Sequence, residues 1–326
     1  MDRRAFIGAL ASSLVAVPRA ANAQSPPKIA RVGYLTSSPR DAQPGSTSHF
    51  FTRLGELGYV EGKNVVIDFR YADTEERLRE RATELVDVGA KVIFAANPYA
   101  LRAARAVTTT PPIVGYDYED DPVAAGYAAS LARPGGNVTG VFLDQTEVSA
   151  KQLQLLKEMV AGLSRVAVLW DAPLATAQRQ AVEDAGRRLG IMVSPIVWRG
   201  TDALPGALRL AAQDGAQGLI VLNTPRIGDR HRTLVADAVL KSRLPAIGLT
   251  ADFAQEGLLM AYGPVRRDMY RIAASLVAKI LDGARPADLP IERPVRFALA
   301  INLKTAKALG IKVPQSLLLR ADEVIQ

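Results

Sequence analysis

Residues able to grip a small molecule recur at fixed points of the 326-residue sequence: Thr36-Ser37-Ser38, Asn97-Pro98-Tyr99, Tyr116-Asp117-Tyr118, Trp170-Asp171, Asn223-Thr224 and Thr250. Most of these groups close a short, largely apolar run of the kind that forms a buried strand. Tyr262 lies within another such run, LLMAYG at 258–263. Aromatic rings can stack on or wall off an apolar ring, while hydroxyls, amides and carboxylates fix the polar ends of the same molecule. The candidate ligand-binding set is therefore Ser37, Ser38, Asn97, Tyr99, Tyr116, Asp117, Tyr118, Trp170, Asp171, Asn223, Thr224, Thr250 and Tyr262.

Each candidate also has a structural use. Thr36, Ser37 and Ser38 can cap a following helix, Asn97-Pro98 is a turn signal, and Asp171-Ala172-Pro173 is a helix entry. Tyr116 and Tyr118 can pack under a helix, and Tyr262 can pack a hinge. Their joint placement carries the argument.

Catalytic chemistry is poorly supplied. Only His49 and His231 occur, so a histidine triad has two residues to draw on and a histidine-rich zinc site has too few. No G-x-S-x-G elbow, G-x-x-x-x-G-K-[ST] phosphate loop or G-x-G-x-x-G turn stands at a strand-to-helix junction. The remaining enzymatic option is a carboxylate pair such as Asp117 with Asp171. The expectation is of no enzyme, no catalytic residue, no metal and no cofactor.

The elements that must position the candidates alternate regularly. Strand-like IARVGYLT (29–36), NVVIDFRYA (64–72), AKVIFAA (90–96) and PPIVGYDY (111–118) are separated by helical HFFTRLGELG (49–58), TEERLRERATELVDVG (74–89) and ALRAARAVT (100–108). Asp121-Pro122 reads as an N-cap with proline at the first helical position, opening a helix to Ala132 that Pro134-Gly135-Gly136 then closes. The alternation resumes through RVAVLWD, IMVSPIVW, AQGLIVLN and PAIGLT, with helices between them. Strands separated by helices of ten to fifteen residues give parallel sheets covered on both faces, with ligands bound beyond the carboxyl ends of the strands.

The fold class expected is α/β, with two Rossmann-like lobes of parallel sheet joined by a multi-stranded hinge. The first lobe is assigned 28–143 plus about 261–290, and the second 144–260 plus about 295–326. Hinge segments are placed near 140–146, 256–264 and 290–300. The Pro-Gly-Gly pause is read as backbone geometry near a moving joint.

MDRRAFIGALASSLVAVPRAANAQ has a basic start at Arg3-Arg4, a short apolar run and an Ala21-Asn22-Ala23 cleavage pattern, the layout of a signal peptide over 1–23. Either the general secretory or the twin-arginine route fits it. The absence of cysteine removes a lipidated anchor, disulfides and thiolate metal sites. Net charge is +7, but basic and acidic residues are interspersed, so a solvated surface is expected and no nucleic-acid partner.

GELGYVEGKNVVIDFRYA, DPVAAGYAASLARPGGNVTGV, GLSRVAVLW, LMAYGP and INLKTAKALGIKVPQSLLLRADEVI together resemble the substrate-binding proteins of ABC transporters related to the tryptophan-binding TrpX group. The resemblance runs from the signal peptide to the last residues. It implies a type I periplasmic binding protein-like fold, a small ligand of aromatic or amino-acid type in the cleft, a periplasmic location, a monomer and a partner permease in the inner membrane. A sensory subunit serving a signalling receptor is the alternative. The chain departs from the family's usual Gly-Asp-Pro at Tyr116-Asp117-Tyr118-Glu119-Asp120-Asp121-Pro122, where extra carboxylates could meet a ligand ammonium group or form a solvated turn.

Overall fold

A computed structural model describes residues 29–39, 44–117, 121–172 and 175–326, the side chains of 44–47 excepted. The expected signal segment and the candidate Tyr118 lie outside the described residues. The first half comprises β1 (Ala30–Thr36), α1 (Pro44–Glu56), β2 (Val65–Tyr71), α2 (Glu75–Asp87), β3 (Val92–Ala95), α3 (Pro98–Val107), β4 (Ile113–Asp117) and β5 (Val138–Phe142). Its strands form a parallel sheet in the order β2-β1-β3-β4-β5.

The second half begins with α4 (Gln145–Met159), β6 (Arg165–Trp170), α5 (Thr176–Leu189), β7 (Met192–Val197), α6 (Leu204–Gln213) and β8 (Gly218–Val221). A π-helical turn over Pro225–Arg230 leads into α7 (Arg232–Ser242), β9 (Ala246–Gly248), α8 (Ala251–Gln255), β10 (Met260–Pro264) and α9 (Arg266–Leu281). The chain ends with β11 (Phe297–Asn302), α10 (Leu303–Leu309), α11 (Gln315–Leu318) and β12 (Glu323–Ile325). The second sheet runs β12-β11-β10-β9-β8-β6-β7, parallel except that β10 and β11 are antiparallel.

Period-two burial explains the layers. In β1 and β3, Val32, Tyr34, Val92 and Phe94 face a core shared with α1 and α9, whereas Leu35, Ile93 and Ala95 face a core shared with α2 and α3. In β6, Val166 and Val168 face α4 and α5, and Ala167 and Leu169 face α6 and α7. Both sheets are thus covered on both faces, as the α/β alternation requires.

The chain passes between the sheets after β5, at Val265 between β10 and α9, and along the segment between α9 and β11. The last passage runs beside β5, with reciprocal backbone bonds between Gly140, Phe142 and Glu292, before Val265 donates to the Arg296 carbonyl. β10 belongs to the seven-stranded sheet, so 261–264 does not lie in the first lobe; α9 is the element that returns to it, packing on α1, β3, β4 and β5.

The helix expected from Asp121 to Ala132 does not form. Asp121 Oδ1 does accept from the Val123 and Ala124 amides, at 2.9 and 2.8 Å, as an N-cap would. Gly126 then adopts φ +71°, ending the structure after one turn, and no helix forms between Asp121 and Pro134.

Candidate functional site

The segments beyond the carboxyl ends of β1, β2 and β3 in one sheet meet the π-helical turn that follows β8 in the other. Arg230 from the π-helical turn donates to the Ser37 carbonyl beyond β1 at 2.7 Å. A cavity of about 240 Å³ lies at this meeting, lined by Ser37, Thr74 and Tyr99 from the first half and Pro225, Arg226 and Arg230 from the second. A larger groove, about 690 Å³, lies between α6 and α7. That groove touches no strand end and gathers none of the candidates, whereas the smaller cavity gathers Ser37 and Tyr99 and is the candidate site.

On the first side Asn97 is fully buried. Its Oδ1 accepts from the Ala100 amide at 2.9 Å, capping α3 ahead of Pro98, and its Nδ2 donates to Thr36 Oγ1 at 3.2 Å and Ser37 Oγ at 3.0 Å. Asn97 therefore organises the β1 terminus, and Ser37 and Ser38 are the groups it presents. Ser38 is buried, and its Oγ has no hydrogen-bond partner among the described residues. Tyr99 stands half-buried on the first turn of α3, with the Arg102 guanidinium 5.2 Å from its ring centre. Asp117, closing β4, is fully buried.

Tyr116 faces the other way. It follows Val114 on the α9 side of β4 and stacks on Tyr270, ring centres 4.8 Å apart. Burial pushes its phenol far above the usual range. The structure thus places Tyr116 in a core, not on a cleft wall.

On the second side Asp171 follows β6, its side chain 1% exposed. Thr224 Oγ1 donates to Asp171 Oδ2 at 3.3 Å and Arg226 Nη1 approaches Oδ1 at 3.4 Å, both long for charge-assisted bonds. Burial raises the Asp171 pKa, opposed by Arg226 and Thr224. The result is a desolvated carboxylate whose two partners both stand at long range. Trp170 beside it carries Arg179 over its ring at 4.8 Å, and its Nε1 is buried with no partner among the described residues.

Thr224 caps the π-helical turn, its Oγ1 accepting from the Ile227 amide at 3.4 Å. Asn223 packs over Gly228, where a Cβ would lie 1.7 Å from Asn223 Oδ1. Thr250 opens α8 without a side-chain cap bond, and its buried Oγ1 is also without a described partner.

Tyr262 lies in β10 at the joint, its ring 6.1 Å from Phe297 and packed against both the α1–α9 core and the α4–α5 core. Gln152 Nε2 donates to the Tyr262 and Gly248 carbonyls at 2.9 and 3.1 Å, tying α4 to this joint. Tyr262 thus packs between the two cores.

Arg226, Arg230, Asp229 and Arg266 were not anticipated. Arg266, the first residue of α9, pairs with Asp229 of the π-helical turn at 2.9 Å and with Asp252 of α8 at 3.2 Å. The available signal was position: TPRIGDR follows the polar end of β8 directly, and Arg266 follows the hinge strand.

No group of three metal-ligating side chains occurs among the described residues, nor does a helix long and apolar enough to cross a membrane.

The sequence is 25% identical over 273 residues to a tyrosine-binding protein of Clostridioides difficile, covering 81% of this chain and 76% of that protein. A conserved domain protein of Vibrio cholerae superposes with a TM-score of 0.83 at 23% identity, over 91% of this chain and 100% of that one. An ABC domain from Streptococcus pneumonia in complex with L-Trp gives 0.82 at 22% identity, over 91% and 99%. These likenesses agree with the type I periplasmic binding protein fold, and the model of the ABC transporter substrate binding protein family matches residues 41–325. The chain accordingly belongs to the ABC transporter substrate-binding proteins, a family that binds solutes and does not turn them over.

Proposed function

We propose that the chain is the exported solute receptor of an ABC importer, holding an aromatic amino acid or a closely related zwitterion between its lobes. The mature protein starts near Gln24, acts as a monomer in the periplasm, and hands its ligand to an inner-membrane permease. The observation that carries this reading is the set of buried, unpartnered polar atoms at the carboxyl ends of strands in both sheets: Ser38 Oγ beyond β1, Trp170 Nε1 at the end of β6 and Thr250 Oγ1 beyond β9. An unsatisfied buried polar group costs about 1–3 kcal/mol, and a ligand donating and accepting at these points offsets that cost.

Asp171 supplies the counter-charge for an ammonium group. Ser37 and Ser38 suit a carboxylate, and Tyr99 supplies an aromatic wall. The tyrosine-binding relative and the L-Trp complex support a ligand of this class.

A thermal-shift screen of the mature protein against L-tyrosine, L-tryptophan, L-phenylalanine, branched-chain amino acids and aromatic acids tests the reading. A ligand that binds only the native state at a hundredfold excess over Kd stabilises by about 2.7 kcal/mol. An amino acid of aromatic type is expected to raise the midpoint most. No shift with any of these solutes, and no small molecule found by mass spectrometry in the purified protein, would overturn it.

A further inference from the structure

The π-helical turn Pro225–Arg230 sends three charged side chains in three directions. Arg226 approaches Asp171 within its own half of the molecule. Asp229, 8% exposed, accepts from Arg266 Nη2 at 2.9 Å. Arg230 crosses the cleft: its Nη2 donates to the Ser37 carbonyl at 2.7 Å, and its Nη1 lies 3.5 Å from the Asp73 carbonyl. Ser37 and Asp73 sit just beyond β1 and β2, the neighbouring strands at one side of the five-stranded sheet. Arg266 opens α9 immediately after the Val265 crossing.

The wide turn makes this divergence possible. The His231 amide donates to the Arg226 carbonyl five residues back, and such π turns concentrate where a side chain must be re-aimed for function. Asn223 holds the turn from below by filling the space over Gly228.

We infer that Arg230 is a closure clasp and positioning residue: it holds the β1 terminus against the second lobe, while the Asp229–Arg266 pair fixes the turn that carries it to the joint. The Arg230–Ser37 bond exists only when the lobes meet, so it contributes to the closed form alone and shifts the open–closed equilibrium toward it. Its effect on affinity rests on the solute-capture reading. The clasp itself acts on the lobes and is measurable in their separation without ligand.

The chain has no cysteine, so two can be introduced cleanly for spin labels. Glu80→Cys on α2 and Lys241→Cys on α7 are exposed and lie on opposite lobes. Pulsed electron-spin distance measurements on the ligand-free, doubly labelled protein are expected to show a short-distance, closed population. Arg230→Ala is expected to lower the closed-to-open ratio about tenfold, the scale of one charge-assisted hydrogen bond. Arg230→Lys, which keeps a donor, should fall between, and the isosteric Asp229→Asn should lower the ratio with unchanged circular dichroism.

A distance distribution unaltered by Arg230→Ala, or a parent protein lacking the closed population, overturns the clasp. If Arg230→Ala fails to fold, Asp229→Asn decides, and an unchanged distribution there overturns it equally. Failure of L-tyrosine and L-tryptophan to shift the thermal midpoint counts against the capture reading and leaves the distance result standing.

Discussion

Asp171 shows how one residue can be costly to the fold and useful to the site. Burial holds its pKa above the ordinary carboxylate value, so its ionised form lowers stability at neutral pH. The sign follows: the penalty is present above the folded-state pKa and fades as pH falls through it. Asp171→Asn is therefore expected to leave the ligand-free thermal midpoint equal or higher at pH 7, with the advantage disappearing under acid conditions. The same variant should bind an amino-acid ligand about tenfold or more weakly, because the ammonium group loses its charged partner. Calorimetric titration alongside thermal melts checks both halves.

Trp170 offers a second residue-scale test. Only it and Trp198 fluoresce as indoles, and Trp198 is turned toward His231, ring centres 5.7 Å apart. Trp198→Phe should preserve a ligand-induced emission change, and Trp170→Phe should abolish it.

At this scale the sequence located the strand ends but not the direction each side chain takes. Tyr116 belongs to the Val114 face by simple alternation, a cue outweighed by its neighbour Asp117. Arg226 and Arg230 gave no cue because their partners, Asp171 in the same half and Ser37 in the other, lie far away in sequence and leave no local trace.

At the scale of elements, β4 and β5 approach more closely than side chains allow. Gly115 and Gly140 are paired across them, Gly140 has φ +154°, and a Cβ there would lie 2.1 Å from the Gly115 carbonyl oxygen. Gly140→Ala should destabilise by about 2 kcal/mol or more, read as a lowered denaturant midpoint with an unchanged m-value. Gly140 is thus explained by backbone packing beside the third passage.

The α1–α9 contact carries a pH signature. Arg271 clasps Glu56 at 2.8 and 2.7 Å and Arg53 adds a third bond, holding the Glu56 pKa down at about 2 against an ordinary 4.5. A lowered folded-state pKa gives stability that is present above the unfolded value and lost as pH falls toward the folded one. Between pH 4.5 and 2 the parent should lose more stability than Glu56→Gln, and added salt should shrink the difference, since the pair is exposed.

Most strands and helices were legible because apolar alternation and caps such as Thr74 and Asn97 are local signals. The helix expected after Asp121 was not, because its N-cap was real while Gly126 decided its length. Nor was the antiparallel β10–β11 pair, which depends on a tail returning from far along the chain.

For the molecule as a whole, the cores of the two sheets are separate, and only a few residues such as Leu249 and Tyr262 pack across the joint. Three chain passages tie the lobes without merging them. Lobes built this way have the means to unfold in separate steps, and a molecule bridging the cleft links those steps. Scanning calorimetry of the ligand-free protein is expected to show a broad or divided transition. With saturating L-tyrosine the two lobes should unfold together in one sharper transition at higher temperature, because a ligand touching Ser38 on one side and Asp171 on the other is lost when either lobe opens. If only one of two transitions moves, the ligand rests on a single lobe and the opposed strand ends do not share it. Arg230→Ala sharpens the comparison: it should divide the ligand-free transition further while leaving each lobe's own core intact.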